Sequence, residues 1–360
     1  MIRIDIRPVW RFNIDGRERD FDFMLISLLE ALDAEPKLTR AAARAGISYR
    51  HAWNLIGEWQ QFFDAPLVEM TRGRGSTLTP LGERLLWAVQ RARARLAPDL
   101  DSLASEFAAA LNAAYRPSRQ RLTLHASHDF AVAALRELTA PLGFDLDVQY
   151  RGGFDALASL ARGECGLAGF HLPEGRVGAA MAARYAAAMP PACRLIALAA
   201  RTQGFIVRGG NPKGIRTIAD LARADVRMVN RQRGSGTRAL LDLLIDEAGL
   251  DRRRLDGYES AENTHAAVAA LIAGGQADCG FGVQAAAAQY RLDFVPLLRE
   301  RYCLACPKRA LDSTPVTALR GALRSDAFAA ILDTLPGYSA WATGEALDPA
   351  TVLEPALART

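Results

Sequence analysis

The stretch at residues 38–53 reads LTRAAARAGISYRHAW, and its spacing predicts two short helices joined by a tight turn. Thr39 is the predicted cap of the first helix, because its hydroxyl can accept a bond from an unpaired backbone N–H. Gly46 falls where a helix ends in the left-handed conformation that glycine tolerates best, and Ser48 can cap the second helix. The spacing therefore predicts a helix-turn-helix, whose second helix enters the DNA major groove.

The second helix of this pair is expected to have an apolar and a polar face. Trp53, Ile56 and Trp59 recur at a helical period and are predicted to face the core. A helical hairpin buried in a core is the alternative interpretation. The side chains expected to contact DNA are the polar ones of this helix and of the helix before it: Thr39, Arg40, Ser48, Tyr49, Arg50, His51 and Asn54.

A β-hairpin is predicted directly after these helices. Residues 66–70 have the pattern of a strand, residues 71–76 (TRGRGS) that of a turn, and residues 77–79 that of a return strand. Arg72 and Arg74 would then be cations on the wing of a winged helix. Four further cations and no acid occur between residues 37 and 54. Such a local basic face suits phosphate contacts, although the net charge of +4 alone does not identify a nucleic-acid binder.

Two blocks of this region, GISYRHAW and LVEMTRGRGSTLTPLGERLL, resemble the DNA-binding domain of the ModE family of molybdate-responsive regulators. They resemble LysR-type regulators more distantly. The resemblance covers roughly residues 20–110. It implies a winged helix-turn-helix at residues 1–80 and double-stranded operator DNA as a partner.

A long helix is predicted from residue 80 to about residue 114, broken once near Pro98. Because one domain seldom needs so long a helix at its edge, we interpret residues 81–119 as a dimerisation and connector helix with a short linker. It would join two subunits, or four, into a homo-oligomer. The alternative is a helix folded back on its own domain.

The chain from residue 120 alternates strands and helices, which indicates a parallel α/β sheet. The signatures ASHD, GGFDAL, GFHLP, NRQRGSGTR and ENTHAAVAALIAGGQADCGFGV resemble the type II periplasmic-binding-protein fold, in particular the versions found in cytoplasmic regulators and beside molybdopterin-biosynthesis domains. The resemblance implies a two-lobed domain at residues 120–345, with lobe I at about 120–200 and 286–345, lobe II at about 201–285, and a tail at 346–360. The expected fold class is α/β multidomain: an N-terminal winged helix-turn-helix, a long connector helix and a C-terminal two-lobed periplasmic-binding-protein-like α/β domain.

In that fold a ligand lies in the cleft, at strand ends and helix N-termini. The glycines of residues 230–238 let the backbone approach closely, and N–H groups at a helix start attract an anion. A helix cap with solvent-facing arginines is the alternative for this loop, and a satisfied loop histidine is the alternative for His128. The predicted ligand contacts are Ser127, His128, Asp129, Gly153, His171, Thr202, Asn230, Arg231, Arg233, Ser235, Gly236, Thr237, Arg238 and Thr264.

The sequence contains no motif that supports catalysis or a bound metal. Ser127, His128 and Asp129 are adjacent and so do not form a triad, which is assembled across space. GxGxxG, the P-loop and HExxH are absent. Five cysteines are an odd count for a disulfide framework, and Cys303 with Cys306 lacks partners for zinc. No signal peptide or membrane span is predicted. Structural cysteines without a disulfide framework make the cytoplasm the expected compartment.

The sequence thus predicts a transcriptional regulator in which a small anion closes the cleft and changes the spacing of paired recognition helices. No cofactor is expected. The resemblance implies molybdate or tungstate as the effector. However, no module like ModE's own small molybdate-binding β domain is present, and three loop arginines leave room for a small organic acid or a pterin-type anion. A non-regulatory binding protein or an enzyme on the same fold is the alternative.

Overall fold

The computed structural model describes residues 2–71, 75–115 and 120–357. The chain divides into two units, Arg7–Arg93 and Met1–Ile6 with Ala94–Thr360. The division falls inside a helix at residues 93–94, whereas the sequence suggested a boundary at residue 80.

The smaller unit consists of a hairpin, three helices and a second hairpin. Left-handed Asp15 and Gly16 form the tight turn of the first hairpin, as two-residue turns require. Phe21 then packs edge-on against Trp59, with ring centroids 5.2 Å apart, in the core of the unit. Its elements are β1 (Arg11–Ile14), β2 (Arg17–Asp20), α1 (Phe23–Ala34), α2 (Leu38–Arg44), α3 (Tyr49–Phe63), β3 (Val68–Thr71) and β4 (Gly75–Leu78).

The second hairpin confirms the predicted pair of strands. Antiparallel pairing joins Val68 to Leu78 and Thr71 to Gly75. Its return strand begins two residues earlier than predicted. Arg72 and Arg74, the predicted wing cations, lie outside the described residues.

The helix α4 (Pro80–Tyr115) runs through the division between the units. The predicted break at Pro98 is wrong, because the helix continues across the proline. A proline removes one intrahelical bond and clashes with the carbonyl four residues earlier, but neighbouring donors can compensate for the missing bond.

The larger unit contains a 10-stranded mixed sheet that extends through two lobes. Its first half, lobe I, comprises β5 (Arg121–Ala126), α5 (Phe130–Thr139), β6 (Asp145–Tyr150), α6 (Gly153–Ala161), β7 (Leu167–Pro173) and α7 (Arg176–Ala188). Lobe II comprises β9 (Met228–Arg231), α8 (Gly236–Glu247), β10 (Ala261–Glu262), α9 (His265–Ala273), β11 (Cys279–Val283) and α10 (Gln284–Gln289).

Two long antiparallel strands, β8 (Cys193–Val207) and β12 (Asp293–Pro307), run through both lobes. The end of β8 pairs with β11 of lobe II, and the end of β12 pairs with β7 of lobe I. The main path of the sheet has the strand order β10-β9-β11-β8-β12-β7-β5-β6. The chain therefore returns to lobe I within β12, later than the predicted residue 286.

The C-terminal segment is part of the larger unit. After α11 (Thr314–Leu323) and α12 (Asp326–Asp333), the short strands β13 (Tyr338–Ser339) and β14 (Ala346–Leu347) pair with β8. In α13 (Pro349–Leu357), Val352 and Leu353 are buried in a core shared with α7. The predicted tail at residues 346–360 is therefore wrong for residues 346–357, since this segment contributes apolar side chains to the core.

Candidate functional site

The exposed face of α3 is the first candidate site. Ser48 caps the helix by accepting a bond from the backbone N–H of His51, and Gly46 precedes it with φ at 74°. Both features match the predicted turn. The helix buries an apolar face in the core. It exposes the four of its side chains that were predicted to contact DNA: Tyr49, Arg50, His51 and Asn54.

Two predictions at this surface are wrong. Thr39 does not cap α2, because the helix already begins at Leu38, whose side chain is buried, and Lys37 occupies the cap position without a side-chain bond. Trp53 is half exposed and lies against Tyr49, because Ala52 takes the core position one turn before Ile56. Exposed Arg40 forms an ion pair with Glu35 at 3.4 Å.

The second candidate site is the cleft where strand ends from the two lobes meet in the larger unit. Gly152, after β6, approaches lobe II so closely that a Cβ atom on it would lie 2.8 Å from the carbonyl oxygen of Gly234, after β9. Gly153 and Gly236 begin α6 and α8, and a Cβ on either would lie 3.4 Å from the hydroxyl of Tyr185. The two helix N-termini therefore approach the same point from opposite lobes.

Asp129, at the N-terminus of α5, is buried, and both of its carboxylate oxygens accept hydrogen bonds. One oxygen caps α5 by accepting the N–H groups of Ala131 and Val132. The other accepts bonds at 2.6 Å from both Arg201 and the hydroxyl of Tyr338. Burial favours a higher pKa for Asp129, but these bonds and the Arg201 charge outweigh it and lower the pKa below the ordinary value. Asp129, a predicted ligand contact, is therefore a structural group.

The network continues from Arg201 into lobe II. Arg201 Nε donates to Glu300 Oε2 at 2.9 Å, and Gln203 Nε2 donates to the same oxygen at 2.9 Å. Gln203 also donates to the hydroxyl of Thr237, at the start of α8, at 3.2 Å. Thr202 lies between these residues on β8 and therefore points to the opposite face of the sheet. Thr202, which was predicted to contact the ligand, is therefore on the other side of the sheet from this network.

Ser127, His171 and Asp129 lie next to one another in an order that resembles a catalytic triad. Ser127 Oγ lies 3.3 Å from His171 Nδ1, and His171 Nε2 lies 3.7 Å from Asp129 Oδ2. The second distance is too long for a hydrogen bond, and Asp129 is already neutralised by Arg201. Burial, together with Arg201, lowers the pKa of His171 to about 4. Such a weak base is poorly matched to proton abstraction at neutral pH.

Arg231, at the end of β9, is a buried cation whose charge affects His128 of lobe I. Its side chain is buried and donates to the backbone carbonyl of Asn263 at 2.9 Å. Among the described residues, no carboxylate pairs with it. Burial, and secondly the charge of Arg201, lower the pKa of Arg231 to about 9. A buried guanidinium without a counter-ion is a site that an anion would stabilise.

The other two loop arginines do not join Arg231 as predicted. Arg233 is exposed and pairs with Glu259 at the surface, at 3.1 Å. Arg238 is buried, lies over the ring of Tyr258 and donates to Asp242 at 3.0 Å. They diverge because Arg233 lies in the turn, whereas Arg238 lies inside α8, one turn before Asp242.

Two histidines, His128 and His265, lie close enough to Arg231 to be affected by its charge. Burial, and then the Arg231 charge, lower the pKa of His128 to about 4. The pKa of His265 is also lowered by burial and by the charges of Arg231 and Arg201. His265 Nδ1 is buried without a hydrogen-bond partner, and a Cβ on Gly282 would lie 3.1 Å from it. The histidines are therefore neutral hydrogen-bonding groups around one cation.

Three further predicted contacts have structural roles. Asn230 is buried and bonds to the carbonyl of Tyr258 and the N–H of Arg231. Ser235 caps α8, as the alternative interpretation of this loop proposed. Thr264 caps α9 by accepting the N–H of Ala267.

The sequence did not identify Arg201, Gln203, Glu300, Tyr338 or His265 as site residues. Arg201 and Gln203 alternate on one apolar strand, and buried polar residues in such a strand are an informative signal. Glu300 and Tyr338 gave no comparable signal, because only the pairing of β12 and β13 with β8 places them beside Arg201.

No metal site or membrane span is found in the part of the chain that the structure describes. No cluster of three or more His, Cys, Asp or Glu side chains there could hold a metal ion. No helix in the described ranges is long and apolar enough to cross a membrane.

Comparison with known proteins agrees with the two-lobed architecture. The model of the PBP superfamily domain matches residues 135–324, which is more than half of the chain. The chain therefore belongs to the PBP superfamily. Among its relatives is YvgK of Bacillus subtilis, 34% identical over 201 residues, which are 55% of this chain and 64% of YvgK. The chain thus spans less than two thirds of that relative. A protein from the 5′ region of the ferredoxin 2Fe-2S gene of Clostridium pasteurianum is 35% identical over 107 residues, 29% of this chain and 95% of the relative.

Solved structures resemble the chain at lower identity. A cysteine mutant of OxyR from Corynebacterium glutamicum, bound to hydrogen peroxide, is 15% identical with a TM-score of 0.44, and the match covers 86% of this chain and 94% of that one. Full-length CbnR in complex with its target DNA is 16% identical with a TM-score of 0.39, and the match covers 84% and 100%.

Proposed function

We propose that the chain is a DNA-binding transcriptional regulator whose two-lobed domain senses a small anion. The smaller unit would act as a winged helix-turn-helix, with α3 in the major groove and the β3–β4 hairpin as the wing. The larger unit would bind the anion in its cleft and change the affinity for operator DNA.

The observation that carries the DNA-binding proposal is the exposed face of α3. The helix buries Ala52, Leu55, Ile56, Trp59 and Phe62, so its opposite side is oriented toward solvent. That side presents Arg50 and Asn54, whose side chains suit the base edges of guanine and adenine. No acid lies between residues 37 and 54, so the surface suits phosphates as well.

The observation that carries the sensor proposal is the buried guanidinium of Arg231. Because Arg233 and Arg238 are engaged elsewhere, Arg231 is the cation without a carboxylate partner that the described part of the cleft would offer, with neutral histidines near it. This combination suits a compact oxyanion, and molybdate or tungstate is the proposed effector. A small organic acid or a pterin-type anion is the second candidate, since a guanidinium also binds carboxylates and phosphates.

Two subunits would associate through α4. Leu96, Leu103, Phe107 and Leu111 are each at least 39% exposed and recur at helical spacing on this helix. An exposed apolar stripe of this kind is typical of a surface that another chain covers. Paired recognition helices would then contact half-sites about one DNA turn apart.

DNA binding is tested by selecting bound duplexes from a random pool. The affinity of the protein for the selected duplexes is then measured at several salt concentrations. Arg50→Ala is expected to weaken binding by about 1–3 kcal/mol and to relax specificity at one base pair. Arg253→Ala, which removes a 92% exposed cation in the larger unit, is the matched control. If the wild-type chain shows no salt-dependent affinity for any duplex, the regulator proposal is wrong.

The effector is tested by thermal unfolding with molybdate, tungstate, sulfate, phosphate, formate and dicarboxylates. A ligand at a hundred times its Kd should stabilise the folded state by about 2.7 kcal/mol. Stabilisation by molybdate or tungstate alone would support an oxyanion sensor. Stabilisation by an organic acid would favour the second candidate, and turnover of an added compound would favour an enzyme.

A further inference from the structure

The helix α4 contains a gap in its hydrogen bonding at Pro98. Because proline has no N–H, the carbonyl of Ala94, four residues earlier, has no intrahelical donor. The proline ring also pushes against that turn, which normally kinks a helix. A carbonyl that loses its intrahelical donor destabilises that turn, so the group that replaces the missing N–H matters for the helix.

A single turn of lobe II supplies the missing donor and a second bond beside it. The hydroxyl of Thr264 donates to the carbonyl of Ala94 at 3.0 Å, and Asn263 Nδ2 donates to the carbonyl of Arg95 at 2.8 Å. Glu262 in the same turn pairs with the Arg95 side chain at 3.3 Å. We refer to residues 262–264 with these bonds as the helix tie.

The helix tie also reaches the cleft. The backbone carbonyl of Asn263 accepts the bond from Arg231, and Thr264 caps the helix that begins with His265. Arg231 and His265 are the groups that an anion in the cleft would contact. One turn of three residues therefore touches both the proposed ligand site and the gap in α4.

Lobe I holds the same helix farther along. Ser105 donates to Asp147 and accepts the N–H of Val148, both at 2.9 Å. Ser102 accepts the N–H of Tyr150 at 3.0 Å. Lobe II therefore binds α4 at residues 94–95, lobe I binds it at residues 102–105, and the weakened turn at Pro98 lies between the two attachments.

We propose that the helix tie couples the cleft to α4, so that movement of lobe II over the anion bends the helix at Pro98. The proposal rests on the proposed sensor function. It assigns Asn263 and Thr264 as positioning residues that act through the helix rather than through the ligand. Ala94 is the first residue of α4 in the larger unit, so a bend at Pro98 lies only a few residues beyond Arg93, the last residue of the smaller unit.

The test is hydrogen exchange of the amides of residues 96–102 in the full-length protein, which requires neither operator nor effector. The tie variant is Asn263→Ala with Thr264→Asp. Aspartate keeps an oxygen to cap α9 but has no hydrogen to donate to Ala94. Exchange across residues 96–102 should accelerate about three- to tenfold, as expected for the loss of hydrogen bonds of ordinary strength.

Two further variants give the test its specificity. Pro98→Ala restores an N–H that can bond the Ala94 carbonyl, so the tie variant should change exchange less than about twofold in that background. Arg231→Gln perturbs the cleft and should accelerate exchange at residues 96–102 only while the tie is intact. Thr264→Ser keeps both bonds and should behave as the wild type.

The proposal is wrong if the tie variant exchanges at the wild-type rate, or if Arg231→Gln has the same effect with and without the tie. The sensor proposal fails separately. It is wrong if neither sodium molybdate nor the other anions above stabilise the wild-type protein, even when the variants exchange as expected at residues 96–102. If instead anions bind but exchange at residues 96–102 is independent of the tie, only the coupling is refuted.

Discussion

Arg231 has opposite effects on the stability of the free protein and on anion binding. Its pKa is lowered to about 9 from the ordinary 12.5, so the folded state disfavours its charge at every pH below about 9. We expect Arg231→Gln to raise the unfolding temperature of the free protein at pH 7. It should also abolish most of the stabilisation of about 2.7 kcal/mol that saturating anion provides. Calorimetric unfolding with and without anion measures both effects, and a variant that is less stable yet binds normally would contradict the assignment.

The lowered pKa of His128 makes folding sensitive to acid. The pKa is about 4 in the folded protein and 6.5 in the unfolded chain, so the unfolded chain binds more protons between these values. Stability is fully present above pH 6.5 and is lost as pH falls toward 4. This group should account for about 2 kcal/mol of loss between pH 6.5 and pH 5. Urea unfolding at both pH values should show a smaller loss for His128→Gln than for the wild type, and equal losses would refute the attribution.

At the level of single residues, the sequence predicted the positions of turns and caps better than it predicted what each side chain contacts. Gly46 and Ser48 were predictable because φ and capping are local properties. Arg231, Arg233 and Arg238 are close in sequence, but the first is buried beside His128, the second is exposed and the third lies over a tyrosine ring. Nothing local separates them, because their directions depend on where α8 begins and on which lobe packs above it.

Among the elements, α4 offers the clearest test of assembly. Phe107 and Leu103 are both 54% exposed, and covering such side chains drives association. Phe107→Asp with Leu103→Asp is expected to convert a dimer into monomers without lowering stability by more than about 0.5 kcal/mol, since exposed positions tolerate substitution. Sedimentation velocity measures the state. Glu106→Gln on the same helix is the control, and a wild type that sediments as a monomer would remove the role proposed for this stripe.

The existence and type of the long elements followed from the sequence, whereas their interruptions did not. A break was predicted at Pro98 because proline removes an N–H donor from the helix, and the sequence alone does not show whether another group replaces it. The helix continues because Thr264 and Asn263, distant in sequence, bond to the carbonyls at that turn. Similarly, the period of α3 left Trp53 at the edge of the apolar face, and the position of Ala52 against the core decided which side was buried.

For the whole molecule, the close approach of the two lobes at Gly152 should control anion affinity. Gly152 has an ordinary backbone conformation, with φ at −59° and ψ at 151°, so alanine would strain nothing locally. Its Cβ would nevertheless meet the Gly234 carbonyl at 2.8 Å and force the lobes apart. Overpacking of this kind costs about 1–3 kcal/mol, so Gly152→Ala should weaken anion binding about five- to 150-fold.

The same change should enlarge the radius of gyration measured by small-angle X-ray scattering with anion present. Gly321→Ala is the control, because a Cβ there would meet no atom within 4 Å. Unchanged affinity in Gly152→Ala would mean that the anion does not need the lobes to approach at this point. In that case the apposition of Gly152 and Gly234 would be a feature of the free protein alone, and closure over the ligand would have to involve a different pair of loops.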